Sequence, residues 1–288
     1  MKKIVLVTGT STGLGISVVI KLAQSGYKVF ATMRNLDKKT QLESAILTAG
    51  VSVNIKQLDV QDSSSIEKCV SEIIALEGKI DILVNNAGAG FVRTTEQASE
   101  ADINKVMDVN FMGVVRCTKA VLPHMRKARR GHIVNVSSVG GLVGQPFNEI
   151  YCAAKFAVEG YAESLATYIT PHFNVHFTNV EPGGIQTEFV NNVLADFQNT
   201  GGMLDDEYRP LLEHYLTSAQ NRKDNGIYQT PDEVADVIKR CIENPEPPIR
   251  MRTSEWANNL CALKTQADPT GKKQQQKVIN GFFGKSDV

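Results

Sequence analysis

An apolar, β-branched run, Ile4-Val5-Leu6-Val7, breaks directly into Thr8-Gly9-Thr10-Ser11-Thr12-Gly13-Leu14-Gly15, and Ile16, Val18, Val19, Ile20 and Leu22 follow at near-helical spacing. A strand that enters a helix through so short a glycine turn has few folds open to it. Gly26 stops the helix and Val29-Phe30-Ala31 supplies the next strand, which closes a β-α-β unit. The pattern recurs, with apolar runs at 51–58, 80–84, 132–136 and 175–180 separated by helical stretches at about 36–48, 62–77, 100–128 and 151–171. Strands alternating with helices predict a Rossmann-like α/β fold: a doubly wound parallel sheet with helices on both faces and ligands outside the carboxyl ends of the strands.

The alternation lapses over 188–228, which is polar, contains Gly201-Gly202 and carries scattered Phe and Leu; it reads as a helical lid. Thr230-Pro231-Asp232-Glu233 then looks like a helix start, and Pro245, Pro247 and Pro248 end that helix. Residues 249–251 are expected to form a last strand, and the tail beyond Pro269, with Lys272-Lys273-Gln274-Gln275-Gln276, to be peripheral. At 288 residues the chain suits one domain. We divide it into one α/β domain over 1–255, with the lid inserted at 188–228, and a C-terminal extension over 256–288.

The 31 Lys+Arg balance the 31 Asp+Glu, so bulk charge predicts neither nucleic acid nor anionic lipid as a partner. The basic run Arg126-Lys127-Ala128-Arg129-Arg130 falls at the end of a helix, where cations complement the dipole. Cys69, Cys117, Cys152, Cys241 and Cys261 are scattered and odd in number, and read as reduced, buried thiols. His172 and His176 lie four apart, but Pro171 and the following strand argue against a helical metal pair, so no metal is expected. With no recognisable leader and no run long enough to span a bilayer, the chain is expected to be cytoplasmic.

Glycines between a strand and a helix allow backbone N–H groups to close on a diphosphate. The end of the second strand, Thr32-Met33-Arg34, holds no acid to bond a ribose 2′-hydroxyl, whereas Arg34 can pair with a 2′-phosphate, helped by Ser11 and Thr12. NADP(H) is therefore expected over NAD(H), with a guanidinium–phosphate pair contributing roughly 1.5–3 kcal/mol. The opposing reading leaves Arg34 in solvent and lets Asp37 bind the ribose. Tyr151 and Lys155, four apart near the start of a helix, share one face, and an ammonium beside a phenol is expected to lower its pKa. Ser137-Ser138 ends the 132–136 strand.

Taken together, the glycine turn, Asp59-Val60, Asn85-Asn86-Ala87-Gly88, Ser138 thirteen residues before Tyr151, and Pro182-Gly183 with Thr187 resemble the short-chain dehydrogenase/reductase family over roughly residues 2–190. The resemblance implies that Gly9, Ser11, Thr12, Gly13, Leu14, Gly15, Asp59, Val60, Asn86, Ala87, Gly88, Pro182, Gly183 and Thr187 line the dinucleotide site. It also implies that Lys155 binds the nicotinamide ribose, that Ser138 holds the substrate oxygen, that Tyr151 transfers the proton, and that Asn110 binds a water leading from Lys155 to solvent. Singly, Asp59 could be a helix cap, Pro182-Gly183 a plain turn and Asn110 a helix kink.

The segments 28–34 and 139–148 resemble the branch of 17-beta-hydroxysteroid and retinol dehydrogenases, which implies an apolar carbonyl or secondary alcohol as substrate. Leu142, Val143, Phe147 and Phe189 would then line the substrate pocket with Ser138 and Tyr151. The resemblance further implies a homo-oligomer, dimer or tetramer, built on the helices at 100–128 and 151–171. Two other readings stay open: a dinucleotide-binding sensor without turnover, and a 3-ketoacyl-type reductase.

Overall fold

A computed structural model describes residues 2–283; residues 284–288 of the expected C-terminal extension lie outside the described part. In chain order the elements are β1 (Ile4–Thr8), α1 (Gly13–Gln24), β2 (Lys28–Met33), α2 (Thr40–Ala49), β3 (Asn54–Gln57), α3 (Ser63–Glu77), β4 (Ile82–Asn85), α4 (Glu100–Met107), α5 (Gly113–Ala128), β5 (Gly131–Val136) and α6 (Glu149–Phe173). They continue with β6 (Val175–Glu181), α7 (Glu188–Asn199), α8 (Arg209–Asp224), α9 (Pro231–Glu243), β7 (Arg250–Arg252), α10 (Glu255–Thr265) and α11 (Lys272–Phe283). The seven strands form one parallel sheet in the order β3-β2-β1-β4-β5-β6-β7.

The two faces follow from strand periodicity. Ile4 and Leu6 of β1 point into a core shared with Ile66 and Ile73 of α3, Val121 of α5 and Leu165 of α6. Val5 and Val7 point the other way, against Val18 and Leu22 of α1 and Val237 and Ile238 of α9. Thr230 and Glu233 close the expected helix start reciprocally: Glu233 N donates to Thr230 Oγ1 at 3.3 Å and Thr230 N to Glu233 Oε2 at 2.7 Å. The winding direction reverses between β1 and β4, so the carboxyl ends of those strands open the crevice where this architecture binds ligands.

Several expected elements differ in extent. The third strand covers only Asn54–Gln57, because an edge strand is held from one side and β2 pairs with it only from Phe30 to Met33. The expected helix over 100–128 is divided by a π-turn at Asp108–Met112. There the Asn110 side-chain amide donates to Val106 O at 3.0 Å, taking the acceptor that the regular helical ladder would use. α6 continues past Pro171 to Phe173, although the proline gives up the bond that an N–H there would make to Thr167 O. The tail is not merely peripheral: α11 buries Ile279, and Gln275 donates to Ala166 O on α6 at 2.7 Å.

Candidate active site

The glycine turn is fixed by what approaches it. A Cβ on Gly9 would lie 2.6 Å from Ala87 Cα, and one on Gly15 2.3 Å from Gly9 O, so both positions exclude side chains on grounds of space. Asn86 staples the turn, donating from Nδ2 to Thr8 O at 3.0 Å and Gly9 O at 2.9 Å, while Thr8 Oγ1 accepts from the backbone of Asn86 and Ala87. The Asn86 amide donors are thus spent on the turn itself. Thr12, the cap of α1, makes no side-chain cap bond, which leaves the first N–H groups of that helix to an anion. From across the crevice Thr187, the cap of α7, reaches the turn at Gly13. These features fit a dinucleotide diphosphate.

At the end of β2 Arg34 is exposed, and Met33, the last residue of that strand, is buried in the core. Asp59 accepts from Gln61 N at 3.0 Å, and Val60 packs on Gly113 at the start of α5. At the nicotinamide end Pro182 O accepts from Val139 N at 3.0 Å, and Gly183 lies against the Trp256 ring.

β5, α6 and the π-turn bring Ser138, Tyr151, Lys155 and Asn110 together. Ser138 follows β5 and its Oγ accepts from Gly140 N at 3.0 Å. The Tyr151 phenol lies near the same hydroxyl. One helical turn along α6, Lys155 donates from Nζ to Val136 O at 3.0 Å and sits 5.6 Å from the Tyr151 ring centroid. Asn110, fully buried, accepts from Ala89 N at 3.2 Å and donates to Ala89 O at 2.7 Å. A Cβ on Gly88 would meet Asn110 Oδ1 at 3.0 Å and Lys155 Nζ at 3.8 Å, so the asparagine and the lysine flank one point.

Burial controls the charge of this group. It pushes the Tyr151 phenol up to about 12, with the Ser138 hydroxyl opposing. It brings the Lys155 ammonium down to about 8, with Glu159 opposing. The net shift of Tyr151 is thus upward, opposite to the lowering expected from an adjacent ammonium, because burial dominates: at neutral pH the phenol is an acid with its proton in place.

The lid covers this centre. Phe189 of α7 lies 6.2 Å from the Tyr151 ring, and a cavity of about 240 Å³ opens between Gly88–Phe91, α4 and α7. Leu142 and Val143 pack with Trp256, Ala257 and Cys261 of α10, so this wall is shared with the C-terminal extension. Phe147 instead sits in the core of the lid, among Phe197, Leu212 and Tyr215. Four residues near this centre carry weak sequence signals or none. Trp256 is the chain's one tryptophan, a usable mark. Arg93, Glu159 and Glu181, all buried, give none, because a charged side chain looks solvated until its distant partners are known.

Comparison with known proteins agrees with this geometry. Residues 3–198 match the short chain dehydrogenase family. Retinol dehydrogenase 8 of Bos taurus is 43% identical over 276 residues, covering 93% of this chain and 86% of its own length. The 17-beta-hydroxysteroid dehydrogenase type 1 of Homo sapiens is 34% identical over 289 residues, covering 98% and 87%. Among solved structures, a short chain dehydrogenase/reductase from Burkholderia phymatum in complex with NAD superposes with a TM-score of 0.78 at 22% identity, covering 92% of this chain and 93% of that one.

Proposed function

The chain belongs to the short-chain dehydrogenase family and is an NAD(P)-dependent oxidoreductase, and from that premise we propose that it exchanges a hydride between NADP(H) and a carbonyl or secondary alcohol of an apolar, retinoid- or steroid-like substrate. The observation that carries the reading is the convergence of Ser138, Tyr151, Lys155 and Asn110 with the Phe189 ring over Tyr151. When bound, the dinucleotide supplies or takes up the hydride. The glycine turn and the open end of α1 hold its diphosphate, with Thr187 on the facing side. Ser138 and Tyr151 donate to the substrate oxygen; in reduction Tyr151 delivers its proton there, and in oxidation it takes one back. Lys155 stabilises the phenolate left behind and holds the ribose, and Asn110 keeps the path from Lys155 in place. Phe189, with Leu142 and Val143, excludes water around an apolar substrate. The branch of retinol and 17-beta-hydroxysteroid enzymes supports this substrate class, and the retained proton-transferring set disfavours a sensor without turnover.

The preference for NADP(H) rests on Arg34 and the lack of an acid at the end of β2. Because Arg34 is exposed, its pair with a 2′-phosphate acts through water and contributes about 1 kcal/mol, roughly five-fold in affinity and less than the shielded pair expected from sequence. The same exposure favours NAD(H) as the second reading. Fluorescence titration with both reduced dinucleotides decides: NADPH should bind several-fold tighter, and Arg34→Glu should reverse the order. Tighter NADH binding by the unaltered protein would refute the preference. Met33→Asp is a poorer test, since that side chain is buried.

A further inference from the structure

Beneath Lys155 and Ser137 lie two carboxyl groups that the reaction as described does not use. Glu159, one turn beyond Lys155 on α6, is buried, and Glu181 at the end of β6 is fully enclosed. A polar ladder runs to them across the sheet: Asn85 donates to Asn135 at 2.9 Å, Asn135 to Asn179 at 2.9 Å, and Asn179 to Glu159 Oε2 at 2.6 Å. On the far side Arg252 of β7 donates to Glu181 Oε2 at 3.2 Å. The inner oxygens, Glu159 Oε1 and Glu181 Oε1, and Ser137 Oγ beside them are buried with no other partner. Ser137 Oγ and Glu159 Oε1 lie 2.8 and 3.1 Å from the point a Cβ on Gly141 would occupy.

Two enclosed carboxylate oxygens facing each other repel unless a proton stands between them. We propose that Glu159 and Glu181 share one proton at neutral pH, and that this pair is a positioning element that sets the charge of Lys155. With the shared proton the pair carries a single negative charge, matched by Arg252. As pH rises the proton leaves, the pair gains a second negative charge next to Lys155, and that charge keeps Lys155 an ammonium to higher pH than burial alone would permit. Burial and mutual repulsion raise Glu159 well above its ordinary range, and Glu181 goes up to about 7. The other groups facing the pair are Glu163 of α6, Arg250 of β7, Cys241 of α9 and Cys261 of α10.

The inference rests on Lys155 as the cation of the active site, and the test separates the two. Infrared difference spectra of the unaltered protein should contain the band of a buried protonated carboxyl at neutral pH, absent in Glu159→Gln. The affinity for NADPH and NADH, titrated against pH, should fall as Lys155 loses its proton, and in Glu159→Gln that fall should move down by about one pH unit. A merely structural role would weaken binding equally at every pH. If Glu159→Gln does not fold, the infrared band of the unaltered protein decides alone. Lack of that band, or a binding profile in Glu159→Gln that superimposes on the unaltered one after scaling, overturns the proposal. A Lys155→Ala protein that binds both dinucleotides normally would instead overturn the reading of Lys155, while the infrared result would still report on the pair.

Discussion

Burial acts in opposite directions on Tyr151 and Lys155, raising the phenol to about 12 and lowering the ammonium to about 8. The phenol therefore keeps its proton throughout the neutral range, which suits carbonyl reduction. The group that titrates first is Lys155: its folded pKa is depressed, so the cation is present below about 8 and is lost as pH rises through that value. For reduction, kcat/KM should stay level through neutral pH and fall about tenfold per pH unit on the alkaline side, while the oxidative direction should rise with pH up to about 8 and then level, as the gain in phenolate is offset by the loss of the Lys155 cation. Stopped-flow measurement in both directions checks this, and a reductive rate that stays level well above pH 8 would show that Lys155 is not the group in play. Much of this centre was legible because Ser138, Tyr151 and Lys155 sit at fixed short spacings within one strand-turn-helix segment. The sign of the Tyr151 shift was not legible, since it depends on how much of the fold closes over the phenol.

Among elements, Arg93 clamps the lid to the sheet domain, alongside Phe147 and the Lys105–Asp196, Gln97–Asp206 and Tyr208–Glu96 pairs. Arg93, buried, donates to Phe197 O at 3.1 Å, Thr200 O at 2.9 Å, Thr200 Oγ1 at 2.8 Å and Gly202 O at 3.3 Å, and lies 4.8 Å from the Phe197 ring centroid. Those carbonyls terminate α7. Arg93→Ala would strand them, at about 1–3 kcal/mol for each that water does not reach. Hydrogen exchange in α7 and α8 should then quicken while the sheet stays protected, and KM should rise several-fold with dinucleotide affinity nearly unchanged; unaltered exchange in the lid would contradict the clamp. The sequence placed a helical lid at 188–228 and the helix start at Thr230, since polarity, glycines and capping residues are local signals. It did not reveal the clamp, whose partners lie more than a hundred residues away, or the π-turn, where one asparagine amide replaces a backbone donor.

For the molecule as a whole, the doubly wound parallel sheet followed from the strand-helix alternation, whereas the strand order and the seat of the C-terminal helices did not. Among the described residues no helix is long and apolar enough to cross a membrane. Met112, Phe156 and Tyr168, on the π-turn and α6, remain partly exposed, and α11 covers a neighbouring strip of α6. We propose a homo-oligomer built on the faces of α5 and α6 that α11 leaves open. Sedimentation at micromolar concentration should find a dimer or tetramer, and a monomer alone would refute that interface. We propose that lid, sheet and dinucleotide site together direct one proton from Tyr151 to a substrate oxygen, and Tyr151→Phe tests it, assayed with retinal and a 17-ketosteroid alongside dinucleotide affinity. Turnover should fall at least ~100-fold with affinity within a factor of about two, because the phenol oxygen delivers the proton while Lys155 and the glycine turn hold the dinucleotide. Turnover equal to that of the unaltered protein would contradict the account.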